Sequence, residues 1–179
     1  MTPFKRPHLA HIGIFVRDIP TLEAFYTEVF GLVVTDRGVG KTFRNELVFL
    51  SGSPEQHHQL VLSSGRGADS PSTVMQMSFK VNDLAELRAV RDKAVAAGAT
   101  DFIPLNHGNA WSVYFNDPEG NCIEVYLDSP FHTPQPFGEP LNLEQSDEAL
   151  IAQTKALIEA LSGSMPRAEF VDRMAERLT

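Results

Sequence analysis

The stretches His11-Ile-Gly-Ile-Phe-Val-Arg-Asp18 and Gln76-Met-Ser-Phe-Lys-Val-Asn-Asp83 have the same form: a short apolar run with strand character, then an aspartate suited to cap a helix. They stand 65 residues apart, and the same offset pairs Val16 with Val81, Leu22 with Leu87, Thr35-Asp36 with Thr100-Asp101, Phe49 with Tyr114 and Leu62 with Leu127. A register held over half the chain marks a duplicated unit.

Working outward, each copy predicts β-α-β-β-β. Strands are expected over Leu9 to Val16 and Val74 to Val81. Helical periods follow at Leu22, Phe25 and Val29, and at Leu84, Leu87, Val90 and Val95, stopped by Gly31 and Gly98. Three further strands are expected in the first copy (Val33 to Asp36, Glu46 to Leu50, His58 to Leu62) and three in the second (Asp101 to Leu105, Ser112 to Phe115, Cys122 to Leu127). Asp117-Pro-Glu-Gly-Asn121 forms the turn before the last of these. The boundaries read as a first module over 7–64, a second over 73–128, and a tail over 129–179, all in one compact domain. Gly65 to Ser72 is the linker. The tail opens on an extended, surface-hugging arm with four prolines between Ser129 and Pro140, followed by an amphipathic helix carrying Leu150, Ile151, Thr154, Leu157, Ile158 and Leu161 on one stripe, and a short helix carrying Phe170, Val171, Met174 and Leu178. These helices are read as covers for the sheet or for a partner subunit, with no chemistry of their own.

The 179 residues hold 15 Lys and Arg against 23 Asp and Glu, a formal charge of −8, so a basic face for nucleic acid is not expected. No long uncharged apolar run suggests a membrane span, and a soluble, cytoplasmic protein is the expectation. The lone Cys122 leaves any metal to imidazole and oxygen ligands. Gly38-Val-Gly40 and Gly65-Arg-Gly67 lack the strand-to-helix setting of a phosphate loop. His57 and His58, if on a strand, face opposite ways. His8 and His132 read as surface residues, and Trp111 as an aromatic lining or packing the sheet.

The sharpest stretch is His107-Gly-Asn-Ala-Trp-Ser-Val-Tyr-Phe-Asn-Asp-Pro-Glu-Gly-Asn-Cys-Ile-Glu124. With the duplicated modules it resembles the vicinal oxygen chelate superfamily, which groups glyoxalase I, bleomycin-resistance proteins and type I extradiol dioxygenases. The proline arm and following helix are similar to tails on single-domain dioxygenase-like members. The resemblance implies an α+β fold in which two βαβββ modules pair into a cup-shaped sheet, with helices at the C-terminus. It also implies a divalent metal (Fe²⁺ first, Mn²⁺ or Zn²⁺ as alternatives) held by His11, Gln76 and Glu124. Gln76 stands where the dioxygenase pattern has a histidine. The 65-residue offset carries Glu124 back to Gln59, a possible fourth metal position. By the same resemblance Tyr114 and His107 are the catalytic pair, Tyr114 bonding a diol oxygen and His107 serving as acid or base.

The function implied is a metal-dependent oxidoreductase cleaving a small aromatic diol bound in the cup. The alternatives are a metal-free binding protein of the bleomycin-resistance type, and a glyoxalase- or epimerase-like lyase or isomerase, which lacks a second carboxylate here. A small-molecule substrate and a homodimer are expected, with modules paired within one chain or swapped between two.

Overall fold

The computed structural model describes residues 7–178, and the chain divides after Pro71 into two compact units. The first runs β1 (Ile12–Val16), α1 (Ile19–Phe30), β2 (Val33–Val39), β3 (Glu46–Ser51) and β4 (Leu60–Ser64), in a sheet of order β1-β4-β3-β2. β1 lies parallel to β4 and the other pairs are antiparallel. Asp18 caps α1 by accepting from Thr21 N, and Gly31, in the left-handed region at φ 66°, closes it. Period-2 alternation on the strands aims Ile14, Val16, Val48, Leu50, Leu60 and Leu62 at one face, where Leu22, Phe25, Tyr26 and Val29 of α1 bury them. The opposite, open face carries Phe15, Phe49 and Val61.

The second unit repeats the pattern with β5 (Met77–Lys80), α2 (Leu84–Ala96), β6 (Thr100–Asn106), β7 (Ala110–Asn116) and β8 (Cys122–Asp128). It then adds β9 (Phe131–His132), β10 (Glu139–Pro140), α3 (Asp147–Glu159), β11 (Met165–Pro166) and α4 (Arg167–Leu178). Its main sheet has the order β10-β6-β7-β8-β5, with β5 parallel to β8. Asp83 caps α2 by accepting from Glu86 N, while the Glu86 carboxylate takes the Asn82 N–H in return. Val113, Phe115, Ile123 and Val125 face α2 and are fully or almost fully buried.

Both first strands begin later than the sequence predicts, at Ile12 and Met77, so His11 and Gln76 each stand one residue before a strand. Leu9, expected in the strand, is 91% exposed. β4 also begins later, at Leu60, leaving His57 and His58 in the preceding connection.

That delay corrects the duplicated register. Phe49 stands across from Val61 on β3 and β4, and Tyr114 across from Glu124 on β7 and β8. The third and fourth strands therefore match at offsets of 65 and 63, because the first unit's connection carries two extra register positions. The counterpart of Glu124 is Val61, not Gln59, and Leu62 matches Val125, not Leu127.

The tail is more integrated than an arm lying on the surface. β10 extends the main sheet beside β6, and Ser129 and Thr133 are buried. Arg88 of α2 donates to the backbone oxygens of Leu143 and Gln145 and to Asp147, pinning the segment that leads into α3. Leu141, Leu143, Leu150 and Ile158 bury their side chains there, each stabilising by roughly 1.5–3 kcal/mol relative to exposure. Thr154 ties α3 to the sheet, accepting from Asn106 Nδ2 and Trp111 Nε1, each at 2.8 Å. Trp111 therefore points to the helix-covered face, because its register partner is Leu127. His132 is half-buried and stacks on Phe170 at 3.7 Å between ring centroids, which removes it from the surface class. Among the described residues, no helix is long and apolar enough to cross a membrane.

Candidate active site

The open face of the second unit's sheet gathers polar side chains around Glu124, which is 9% exposed in the middle of an apolar strand. A carboxylate so placed needs compensating donors. It has three: Tyr114 Oη donates to Oε1 at 2.6 Å, while Ser78 Oγ at 2.6 Å and Gln76 Nε2 at 2.9 Å donate to Oε2. The register explains the convergence, since Ser78 and Tyr114 are the direct partners of Glu124 on β5 and β7. Gln76 precedes Ser78 by two residues, so both side chains emerge on the same face.

Burial, reinforced by the hydrogen bond to Glu124 and its charge, pushes the Tyr114 phenol far above its ordinary value. Tyr114 is thus a donor at any physiological pH. Burial, with the Glu124 charge beside it, also pushes the Cys122 thiol up, which disfavours its thiolate form.

Behind the phenol stands His107, with Nε2 3.2 Å from Tyr114 Oη and Nδ1 2.7 Å from the Phe137 carbonyl oxygen. A carbonyl only accepts, so Nδ1 carries the proton and, in the neutral ring, Nε2 presents a lone pair, which the Tyr114 hydroxyl bonds only when its one hydrogen turns from Glu124 toward His107. The chain runs Phe137 C=O, His107, Tyr114, Glu124. Gly108 permits the turn that presents His107: its φ is +72°, and a Cβ there would meet Thr133 Oγ1 at 2.5 Å.

In the first unit His11 lies against His58, with ring centroids 4.3 Å apart. His58 is also edge-on to Phe49, and its Nδ1 is 2.9 Å from Nδ1 of His57, which bonds Asp36 through Nε2 at 3.0 Å. Burial, then the neighbouring His11 and His57, hold His58 below its ordinary value. Gln59 is engaged elsewhere, its Oε1 accepting from Gly52 N at 2.9 Å. A cavity of about 530 Å³ in this unit, walled by Ile19, Pro20, Ala24 and Val39, is a poor reaction site because its Glu23–Arg37 ion pair satisfies itself.

The structure thus brings Gln76, Glu124, Tyr114 and His107 into one hydrogen-bonded group, and places His11 and Gln59 in the first unit. Ser78 and the Phe137 carbonyl were missed in the sequence. Ser78 was findable as the next residue after Gln76 on its face; Phe137 had no signal, since a backbone carbonyl acts through position alone. Among the described residues, no group of three or more His, Cys, Asp or Glu side chains converges on a metal position. Gln76 and Glu124 do fit a divalent cation as one neutral and one charged oxygen donor, because the Gln76 amide uses its nitrogen toward Glu124 and keeps Oε1 for a ligand.

A model of the Glyoxalase/Bleomycin resistance protein/Dioxygenase superfamily matches residues 8–125, well over half of the chain. The protein belongs to this superfamily. Among curated proteins, biphenyl-2,3-diol 1,2-dioxygenase 3 of Rhodococcus globerulus is 27% identical over 180 residues, covering 93% of this chain and 88% of its own. That match runs beyond the duplicated modules into the tail. Among solved structures, a glyoxylase/bleomycin resistance protein/dioxygenase domain from Frankia sp. EAN1pec shares the fold with a TM-score of 0.59, at 22% identity over 69% of this chain and 99% of that one. The fosfomycin resistance protein FosX of Listeria monocytogenes, solved with Mn(II) and sulfate, shares it with a TM-score of 0.55, at 18% identity over 70% of this chain and 95% of that one. The superfamily member described here thus has the mixed α+β architecture of its structural neighbours, with a tail of helices added to the second unit.

Proposed function

We propose that this protein is a metal-dependent oxidoreductase of the extradiol ring-cleavage kind, acting on a small aromatic diol. The observation that carries the reading is the line His107, Tyr114, Glu124, in which a basic nitrogen and a high-pKa phenol stand beside a buried carboxylate. Similarity to a biphenyl-diol dioxygenase along most of both chains supports the reaction class.

In this reading Gln76 Oε1 and Glu124 hold a divalent cation, Fe²⁺ in first place and Mn²⁺ or Zn²⁺ as alternatives. The bound cation supplies Lewis acidity and a path for electrons between diol and O₂. His11, the imidazole expected from the sequence for the same role, belongs to the first unit, and its share is tested by the metal content of His11→Ala. Gln59 is left out of the ligand set, since its amide oxygen is engaged with Gly52 and its register match to Glu124 has gone.

The chain's own residues then do three things. Tyr114, protonated at neutral pH, turns its one hydrogen from Glu124 to a diol oxygen brought beside it. His107 Nε2 accepts the proton that the diol releases, because Nδ1–H is committed to the Phe137 carbonyl. Ser78 keeps one oxygen of Glu124 oriented while the other faces the substrate.

Protein purified without chelator is expected to contain metal, to consume O₂ with 2,3-dihydroxybiphenyl or catechol, and to develop the absorbance of a ring-opened product. Loss of the diol without O₂ uptake, or no turnover after anaerobic loading with Fe²⁺ and Mn²⁺, overturns the reading.

One observation favours a second reading. Glu124 already has three protein donors, and the position of the expected second histidine is filled by one of them, so the same group serves as a metal-free binding pocket. Ligand binding by calorimetry that is unchanged by EDTA supports this alternative. A glyoxalase- or epimerase-like isomerisation has less support, because Val61 stands where the first unit's matching carboxylate is needed.

A further inference from the structure

We infer that Gln135, in the arm between β9 and β10, is a positioning residue that sets the tautomer of His107. Its side chain grips both sides of the histidine. Nε2 donates to the His107 carbonyl oxygen at 2.8 Å, and also reaches Thr133 O at 3.1 Å and Asn109 Oδ1 at 3.3 Å. Oε1 accepts the Phe137 N–H at 3.0 Å. Phe137 in turn places the carbonyl that takes His107 Nδ1–H at 2.7 Å. One exposed amide therefore connects the backbone of residue 107 to the backbone that captures its ring.

The reason this matters is chemical. Neutral imidazole has one N–H, and whichever nitrogen finds an acceptor keeps it. With the Phe137 carbonyl held against Nδ1, the lone pair is forced onto Nε2, the nitrogen that faces Tyr114 at 3.2 Å. Without Gln135 the Phe137 carbonyl loses its restraint, Nδ1–H loses its acceptor, and the ring is free to take the Nε2–H form, which cannot accept a proton. No other side chain in the group can substitute: Tyr114 gives its one hydrogen to Glu124, so toward His107 its oxygen is an acceptor at 3.2 Å that by itself favours Nε2–H, and only the closer Phe137 carbonyl at 2.7 Å holds the proton on Nδ1. The Gln135 amide needs both ends for this. A glutamate keeps the acceptor for Phe137 N–H but loses the donor to residue 107.

The tautomer holds whether or not the diol chemistry is right; only its effect on turnover rests on the function proposed above. The test is ¹⁵N NMR of histidine-labelled full-length protein, in which protonated and lone-pair ring nitrogens have widely separated shifts. His107 is assigned from the signal lost in His107→Ala. Wild type is expected to show Nδ1–H and a lone pair on Nε2. Gln135→Ala is expected to show a tautomer mixture, and Gln135→Glu an intermediate state. In diol turnover, kcat of Gln135→Ala is expected to fall about tenfold with KM changed less than about twofold, the pattern of a lost proton-transfer geometry.

A Gln135→Ala protein, or a Gln135→Glu protein if the first does not fold, that keeps a pure Nδ1–H signal overturns the proposal. So does an Nε2–H wild type. A wild type with the expected tautomer and no turnover of any diol counts against the proposed reaction and leaves the positioning role standing.

Discussion

The open faces of the two sheets are the same scaffold filled with opposite chemistry. At the four matched positions the first unit has His11, Gly13, Phe49 and Val61, and the second has Gln76, Ser78, Tyr114 and Glu124. Phe49 and Tyr114 differ by one hydroxyl, yet Phe49 packs edge-on against His57 and His58 while Tyr114 bonds Glu124 and faces His107. Duplication therefore supplied the frame, and the carboxylate-centred network was built in the second copy alone. The second copy also has braces the first lacks: a fifth strand, the arm behind His107, and α3 hung on Thr154.

The comparison is broken most severely at Glu124. Glu124→Ala is expected to reduce diol turnover to background and to release metal. It also removes the acceptor shared by Tyr114, Ser78 and Gln76, lowering stability by about 1–3 kcal/mol in denaturant titration. The contrasting change in the first unit, Gln59→Ala, is expected to leave turnover within about twofold, as an exposed substitution outside the network does. If the two variants lose activity equally, the asymmetry drawn here is wrong.

Tyr114→Phe gives the second copy the first copy's ring. Losing one of the three donors to Glu124 is expected to lower kcat by about 10²-fold with folding intact by circular dichroism. Thr154→Val tests the brace: Asn106 Nδ2 and Trp111 Nε1 lose their shared acceptor, and unfolding free energy is expected to drop by about 2 kcal/mol.

The smallest effect concerns His132. Burial holds its pKa below the ordinary 6.5, so its neutral form is the one the fold accommodates. The stability this contributes is present above pH 6.5 and is lost as pH falls toward the lowered folded value. His132→Phe, which keeps a ring on Phe170, is expected to show a smaller fall in Tm between about pH 7.5 and about pH 5.5 than wild type.

Much of this was legible before any coordinates. The helix caps at Asp18 and Asp83, the stop at Gly31 and the strand alternation are local, because each depends on neighbours within one turn or one pleat. Glu124 between Ile123 and Val125 reads as a costly buried charge from the sequence, whereas Tyr114 and His107 enter only through the family resemblance. Two errors were errors of register. A constant offset carried Glu124 onto Gln59, and a strand was drawn through His58, because a sequence comparison without gaps does not see two added positions in a connection. Trp111 was assigned no definite face, since aromatic character alone does not say which side of a pleat a residue takes.

The sequence by itself determined the duplicated β-α-β-β-β pattern, the acidic balance, and the residue types able to hold a metal or move a proton. Those properties are written in periodicity and side-chain chemistry. Only the tertiary structure decided that Ser78 completes the Glu124 network, that the Phe137 carbonyl chooses which nitrogen of His107 bears the proton, and that Val61 stands opposite Phe49. The reason is physical: such contacts join residues 30 to 50 apart in the chain or hang on ladder register, and both are set when strands pair and the arm folds back, by hydrogen bonds no local pattern encodes.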